Sequence, residues 1–220
     1  MSADAPRRRF DFDTLSPLER YKLLIGSVVP RPIAWVTTVD PEGRVNAAPY
    51  SFFNVLSHDP ALLALGVENH ADMRRKDTSN NIRLTQEFTV NIVDHALVEA
   101  MNVTAVPFPP EVDELAAAGL TAVPGARVGC PYIAEAPVAL ECRNYTTLSI
   151  GRSREIVLGE VLAMHIRADL VNERLHVDPA GLDAVGRLGG QGYSTLRDRF
   201  DLPSMSLARW QESLAATEES

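Results

Sequence analysis

Three consecutive cations, Arg74, Arg75 and Lys76, stand directly before Asp77-Thr78-Ser79-Asn80-Asn81, a run that reads as the start of a helix with Asp77 or Thr78 as its N-cap. A helix N-terminus already carries about half a unit of positive charge, so each cation there costs a few tenths of a kcal/mol unless an anion lies between them. A phosphate would resolve the conflict, using free backbone N–H groups, the Thr78 hydroxyl and the Lys76 ammonium. The same residues also read as a solvated basic turn whose side chains splay into water.

A second stretch, Asn46-Ala47-Ala48-Pro49-Tyr50-Ser51-Phe52, combines small side chains, which let a ligand approach the backbone, with an amide, hydroxyls and aromatic rings. Such a wall suits a flat heteroaromatic ligand, whose polar edge pairs with backbone groups while a ring covers its apolar end. An ordinary barrel strand with a proline bulge fits these residues as well. Arg31, between Pro30 and Pro32, is held extended because a residue before proline is pushed out of the helical region. Its side chain is thereby aimed, either at an anion or into a surface ion pair. Trp35 reads as core. The five histidines show no ligand pair at metal-binding spacing, so no metal site is expected. The serines lack a nucleophile-elbow motif, which argues against hydrolysis. The glycines of Arg187-Leu188-Gly189-Gly190-Gln191-Gly192-Tyr193 make a poor dinucleotide fingerprint, since no strand-to-helix context frames them. They also read as an ordered turn pinned by Tyr193.

The elements that must carry these residues are mostly strands. Residues 33–39 are β-branched or aromatic at most positions, and Asp40-Pro41-Glu42-Gly43 separates them from a second extended run, which predicts a hairpin. Pro49 should bend that second strand or end its pairing. Further strands are expected at 62–67, 88–93, 138–150 and 156–166, the last two forming another hairpin. Ser16-Pro17-Leu18-Glu19 predicts a helix with a capping box, ended by Gly26. Other helices fit 78–85, 96–103, 111–118 and 207–216. Val106-Pro107-Phe108-Pro109-Pro110 reads as a stiff surface excursion. The inventory is a mainly β, antiparallel barrel decorated by helices.

With 220 residues, of which 45% are hydrophobic and 23% charged, one substantial core is expected. The formal net charge of -8 argues against a general nucleic-acid or anionic-membrane binder. Cys130 and Cys142 are too few for a disulfide framework or a zinc site, and they read as small buried apolar residues in a reducing compartment. Acidic residues follow Arg7-Arg8-Arg9 where an export signal would be apolar, and no stretch nears the roughly 20 apolar residues of a membrane span. A cytoplasmic protein is expected, with tails at 1–15 and 213–220 around a domain at 16–212.

The segments Arg31 to Thr38, Asn46 to Asn54, Lys76-Asp77-Thr78 with Asn81-Ile82, Val90-Asn91 and Arg187-Leu188-Gly189-Gly190 with Tyr193 are similar, in order and rough spacing, to the flavin reductase-like, FMN-binding split-barrel family. The resemblance implies a split β-barrel with peripheral helices and a homodimer with its cofactor sites near the interface. It implies FMN, or FAD, as cofactor and NADH or NADPH as electron donor. Asn46, Ala48, Pro49, Tyr50, Ser51 and Phe52 would then line the flavin, and Lys76, Thr78 and Asn81 would hold its phosphate, with Arg31 as a further contact. His165, on a strand where relatives carry a polar residue facing the flavin or nicotinamide, and Tyr193, on a loop covering the site, are the catalytic candidates. The implied activity is an NAD(P)H-dependent flavin reductase that passes electrons to free flavin or a monooxygenase component. A flavoredoxin-like electron carrier without a nicotinamide site, and a barrel module without catalysis, are the alternatives.

Overall fold

In a computed structural model, which describes residues 5–109, 111–151 and 153–211, the chain begins with helix α1 (Pro17–Ser27) and the short strand β1 (Arg31–Pro32). Two hairpins follow, β2 (Ala34–Val39) with β3 (Val45–Tyr50) and β4 (Phe53–His58) with β5 (Ala61–Glu68). Next come α2 (Asp77–Thr85), β6 (Glu87–Ile92), α3 (Val98–Val103), α4 (Glu114–Ala117), β7 (Ala122–Val123) and β8 (Tyr132–Ile133). The long hairpin of β9 (Val138–Ile150) and β10 (Arg154–Ile166) leads to α5 (Pro179–Leu182), β11 (Val185–Arg187) and β12 (Tyr193–Thr195). The main sheet runs β3-β2-β6-β9-β10-β5-β4, and every neighbouring pair is antiparallel. Its two edge strands, β3 and β4, are joined through Ser51 and Phe52. That two-residue connection brings the two edges of the sheet together at one end as a barrel, and the Gly66 N–H of β5 donates to the Phe52 carbonyl at 2.7 Å, which extends the β4–β5 ladder up to the connection.

Side chains alternate across a strand, and here both faces find a core. Ala34 and Val36 of β2 face the interior with Leu63, Leu65, Phe88 and Val90. Trp35 faces the other way, into a second cluster with Met101, Leu115 and Ile133 beneath the helices. Burial on both faces explains why β2 reads as a continuous apolar run. The Trp35 indole N–H donates to the Thr104 hydroxyl at 2.9 Å, which satisfies its one polar atom inside the core. Pro49 lies opposite Trp35 on an edge strand, where its missing donor leaves no ladder bond unmade.

Local chemistry sets most boundaries. The capping box at α1 is present, with the Glu19 N–H donating to Ser16 Oγ and the Ser16 N–H to Glu19 Oε2, and the helix runs one residue past Gly26. α4 is shorter than expected, because the Asp113 carboxylate accepts from the Leu115 and Ala116 N–H groups and starts the helix there. The cap of α2 is a correction: Lys76 occupies the N-cap position, Asp77 is the first helical residue, and no side chain caps the helix. Strand β4 escaped the sequence reading because Asn54, Ser57 and His58 break its apolar pattern. Residues 207–211 are helical, whereas 212–216 and the 213–220 tail lie outside the described residues, as do residue 110 of the proline stretch and residues 1–4. Among the described residues no helix is long and apolar enough to cross a membrane. Cys130 and Cys142 are buried and unpaired.

Glu155 of β10 ties the barrel to α2. It accepts hydrogen bonds from Arg83 and Ser79 of that helix and from Arg75 just before it, with its own side chain 4% exposed. Burial alone would raise this carboxyl, but the bonds from Arg83, Ser79 and Arg75 outweigh burial and bring it down to about 2. A depressed carboxylate stabilises the fold above its unfolded value and loses that contribution as pH falls through the folded one. Glu155→Gln should therefore cost about 1–3 kcal/mol at pH 7, allowing for the partly exposed arginines. In urea unfolding at a series of pH values, the gap between the two proteins should close between about pH 5 and pH 2. A gap independent of pH would exclude the ionised pair. Gly159 sits at a bulge in β10, where a Cβ would overlap the buried Phe88 ring. Gly159→Ala should cost about 1–3 kcal/mol, read as a lowered thermal midpoint.

Candidate functional site

The first turn of α2 is held from two directions. On one side the Thr78 hydroxyl, fully buried, accepts from the Asn46 amide at 3.0 Å and from the Tyr50 hydroxyl at 2.9 Å, both on β3. On the other, Ser79 and Arg75 bond Glu155. Burial pushes the Tyr50 phenol up to about 12, so it stays protonated and donates. These ties place an uncapped helix N-terminus, with its free N–H groups, at the edge of β3.

The three cations before α2 part company. Arg74 pairs with Asp72 and Arg75 with Glu155. Lys76 has no ion-pair or hydrogen-bond partner among the described residues, and it borders two adjoining cavities along β3. One, of about 260 Å³, is lined by Pro49, Tyr50, Ser51, Phe52, Lys76 and Tyr193. The other, of about 370 Å³, includes Asn46, Ala48, Pro49, Tyr50, Lys76 and Thr78. Nine of the sequence candidates thus meet in one cleft beside β3, an edge strand with no further strand beyond it, whose Ala47 N–H donates to Glu114 Oε2 of α4 at 3.3 Å.

Three candidates do not join it. Arg31 is 8% exposed and donates to the carbonyls of Ile25 (2.6 Å), Val28 (3.0 Å) and Leu188 (3.0 Å), and through Nε to the hydroxyl of the cleft residue Ser51 at 3.4 Å, so it backs the cleft wall without lining either cavity. Extended backbone between two prolines does aim it, but at the end of α1. The Asn81 amide turns inward to Thr38 Oγ1 at 3.1 Å, because that position of α2 faces β2. His165 lies on β10 away from both cavities, hydrogen-bonded to the buried Glu141 and stacked on Tyr132 with ring centroids 4.4 Å apart. Among the described residues no cluster of His, Cys, Asp or Glu could hold a metal ion.

The cleft also contains residues that the sequence reading missed. Arg154 lies over the Phe52 ring at 3.8 Å, and Arg187 over the Tyr193 ring at 4.4 Å. Tyr21 of α1 stacks on Phe52 from the other side, with centroids 6.4 Å apart. The aromatic walls are thereby held in place by cation–π contacts of about 0.5–2 kcal/mol each. Gly66 was the available signal, since an isolated glycine in an apolar strand marks close approach. A Cβ there would stand 3.0 Å from Phe52 Cβ and 3.2 Å from Arg154 Cδ. Small backbone, aromatic faces and an unpaired ammonium beside free N–H groups form a cradle for a flat ring system ending in an anion.

Comparison with known proteins agrees with that chemistry. Residues 25–182 match the model of the flavin reductase like domain. The chain is 48% identical over 217 residues to an uncharacterized protein of Deinococcus radiodurans, covering 96% of this chain and 95% of that one. Among solved structures, it is similar to nitrilotriacetate monooxygenase component B from Bacillus cereus, with a TM-score of 0.86 and 33% identity over 90% of this chain and 100% of that one. It is also similar to 2-nitrobenzoate 2-nitroreductase from Pseudomonas fluorescens, with a TM-score of 0.83 and 36% identity over 91% and 98% of the two chains. A domain match across most of the barrel, with relatives of this identity along nearly their whole length, establishes that the chain belongs to the flavin reductase-like family.

Proposed function

We propose that the chain binds FMN in the cleft along β3, accepts hydride from NADH or NADPH, and passes electrons to an acceptor such as free flavin or a monooxygenase component. The observation that carries this reading is the position of Lys76. Of the three cations before α2 it is the one without a partner among the described residues, beside the uncapped start of that helix and at the junction of the two cavities. A monooxygenase partner is supported by the likeness to a protein named as a monooxygenase component, and reductase chemistry by the likeness to a nitroreductase.

Bound flavin supplies the two-electron chemistry, so the protein's tasks are binding, orientation and exclusion of water. Lys76 and the α2 backbone N–H groups would neutralise the phosphate. The cleft-lining backbone from Ala48 to Ser51 would pair with the polar rim of the ring system, and Phe52 and Tyr193, braced by Arg154 and Arg187, would cover its faces. Tyr50 and Thr78, already bonded to each other, keep the floor neutral at working pH. No general acid or base is required of Tyr50 and Thr78.

The purified protein should be yellow, or turn yellow with added FMN, and its band near ~450 nm should bleach under anaerobic NADH or NADPH. Bound flavin that neither nicotinamide bleaches would instead make the protein an electron carrier, and a protein that takes up no flavin would leave only the barrel. Lys76→Ala should weaken FMN binding by about tenfold or more, the value of a charge-assisted contact, while riboflavin, which lacks the phosphate, changes by less than about twofold. Equal losses for both ligands, measured by quenching of flavin fluorescence, would remove Lys76 from the phosphate.

A further inference from the structure

Glu114, the first residue of α4, reaches across to β3, where its Oε2 accepts the Ala47 N–H at 3.3 Å. Its half-buried side chain lines the cavity of about 370 Å³ together with Lys76 and Thr78. It also lines a neighbouring cavity of about 210 Å³ between the Asp40 to Arg44 turn and the first turn of α2. No cation forms an ion pair with it among the described residues. Arg44, which borders the smaller cavity, is bound by Asp40 and Glu42 and lies near Glu111. The other titratable groups around Glu114 are Asp77 at the start of α2, Asp113 beside it, His70 from the loop before α2 and the Tyr50 phenol. Burial raises the Glu114 carboxyl above its ordinary value, and the like charges of Asp77 and Asp113 add to this, against the pull of its own N–H and that of Ala47.

A phosphate at Lys76 would bring a charge of about -1.5 to -2 at pH 7 into a cavity that already holds two carboxyl groups, Asp77 and Glu114. One ammonium and the roughly half charge of a helix N-terminus do not balance that sum. Asp77 belongs to the first turn of α2, where the helix dipole favours a negative charge. Glu114 lacks such support, since α4 is a single turn. A proton taken from solvent by Glu114 relieves the conflict. It removes one negative charge and gives the carboxyl an O–H that can donate to the phosphate, while the other oxygen keeps the Ala47 N–H.

We infer that Glu114 sets the preference of the cleft between phosphorylated and unphosphorylated flavin, by taking up a proton from solvent as the phosphate binds; this rests on the flavin reading of the β3 cleft. The coupling is reciprocal: the phosphate raises the proton affinity of Glu114, and protonation raises the affinity for FMN by the same factor. FMN is therefore held less tightly as pH rises through the range in which the carboxyl ionises, and riboflavin, which lacks the phosphate, does not respond.

The test compares the full chain with Glu114→Gln, which keeps an oxygen for the Ala47 N–H; an unchanged thermal midpoint checks that it folds. Dissociation constants for FMN and riboflavin are read by flavin fluorescence from about pH 5 to about pH 8. At about pH 8 the variant should bind FMN about tenfold or more tighter than the parent protein, with riboflavin changed by less than about twofold, and the FMN gap should close towards about pH 5. The second ionisation of the phosphate itself, near ~6, is common to both proteins and cancels in the ratio. Calorimetry at about pH 7 in buffers of different ionisation enthalpy should show net proton uptake when the parent protein binds FMN, none when it binds riboflavin, and none in the variant. The parent protein alone decides the matter if the variant fails to fold. If FMN binds without proton uptake, if uptake persists in the variant, or if both flavins change alike, the role of Glu114 is overturned while the flavin reading survives. If neither flavin binds the parent protein, both fall together.

Discussion

The hydroxyl of Thr78 is the point on which the site depends. It is fully buried at the start of α2 and receives hydrogen bonds from Asn46 and Tyr50, two residues on the same strand. Leaving such a hydroxyl unsatisfied would cost about 1–3 kcal/mol, so the bonds hold the helix against the strand as firmly as they satisfy the group. Glu155 secures the next residue, Ser79, from the opposite side through the β9–β10 hairpin. Between these two anchors the helix has little freedom to shift, and its bare N-terminus stays level with the open edge of β3.

That edge is open because of how the barrel closes. Edge strands normally invite pairing and must be covered or broken. Here β3 ends at Pro49 and Tyr50, and the chain crosses directly through Ser51 and Phe52 to begin the other edge strand. The crossing is fixed by the Gly66 bond to Phe52, which continues the β4–β5 ladder, by Arg154 lying over the Phe52 ring and by Tyr21 stacked on it. Backbone of Ala48 to Ser51 thus lines the cleft beyond the point where Glu114 takes the Ala47 N–H, with aromatic walls fixed beside it. A flavin-binding family needs those conditions together, since the cofactor carries the reactivity and the protein contributes placement.

Charge is distributed by the same logic. Three adjacent cations would oppose the dipole of α2, yet the fold disposes of them separately. Arg75 is drawn to Glu155 and Arg74 to Asp72, while Lys76 is left facing the cleft. A carboxylate on β10, far along the chain, therefore decides which of three neighbouring cations remains available. Arg31 shows the converse. Its two prolines direct it, as the sequence implies, but the groups waiting for it are the carbonyls at the end of α1 and at Leu188 and, behind the cleft, the Ser51 hydroxyl.

Local sequence determined the elements with their own chemistry. The capping box of α1, the Asp40 to Gly43 turn and the paired long strands β9 and β10 each follow from residues within a few positions of one another, whereas Pro49, expected to bend its strand or end its pairing, is paired opposite Trp35 with the ladder continuing to Tyr50. The residue types of the cleft were equally legible, because Asn46 to Phe52 and Lys76 to Thr78 lie on two short contiguous segments. What the sequence left open is how each polar side chain is spent. Asn81 and His165 are polar and well spaced, yet one is consumed by Thr38 and the other by Glu141. Arg154 and Arg187 looked like turn residues and instead brace the walls. Hydrogen-bond partners separated by tens of residues are brought together by the register of the sheet, as for His165 and Glu141, or by a helix packed on it, as for Asn81 and Thr38, and only the folded chain decides which donors are used up inside and which face the site.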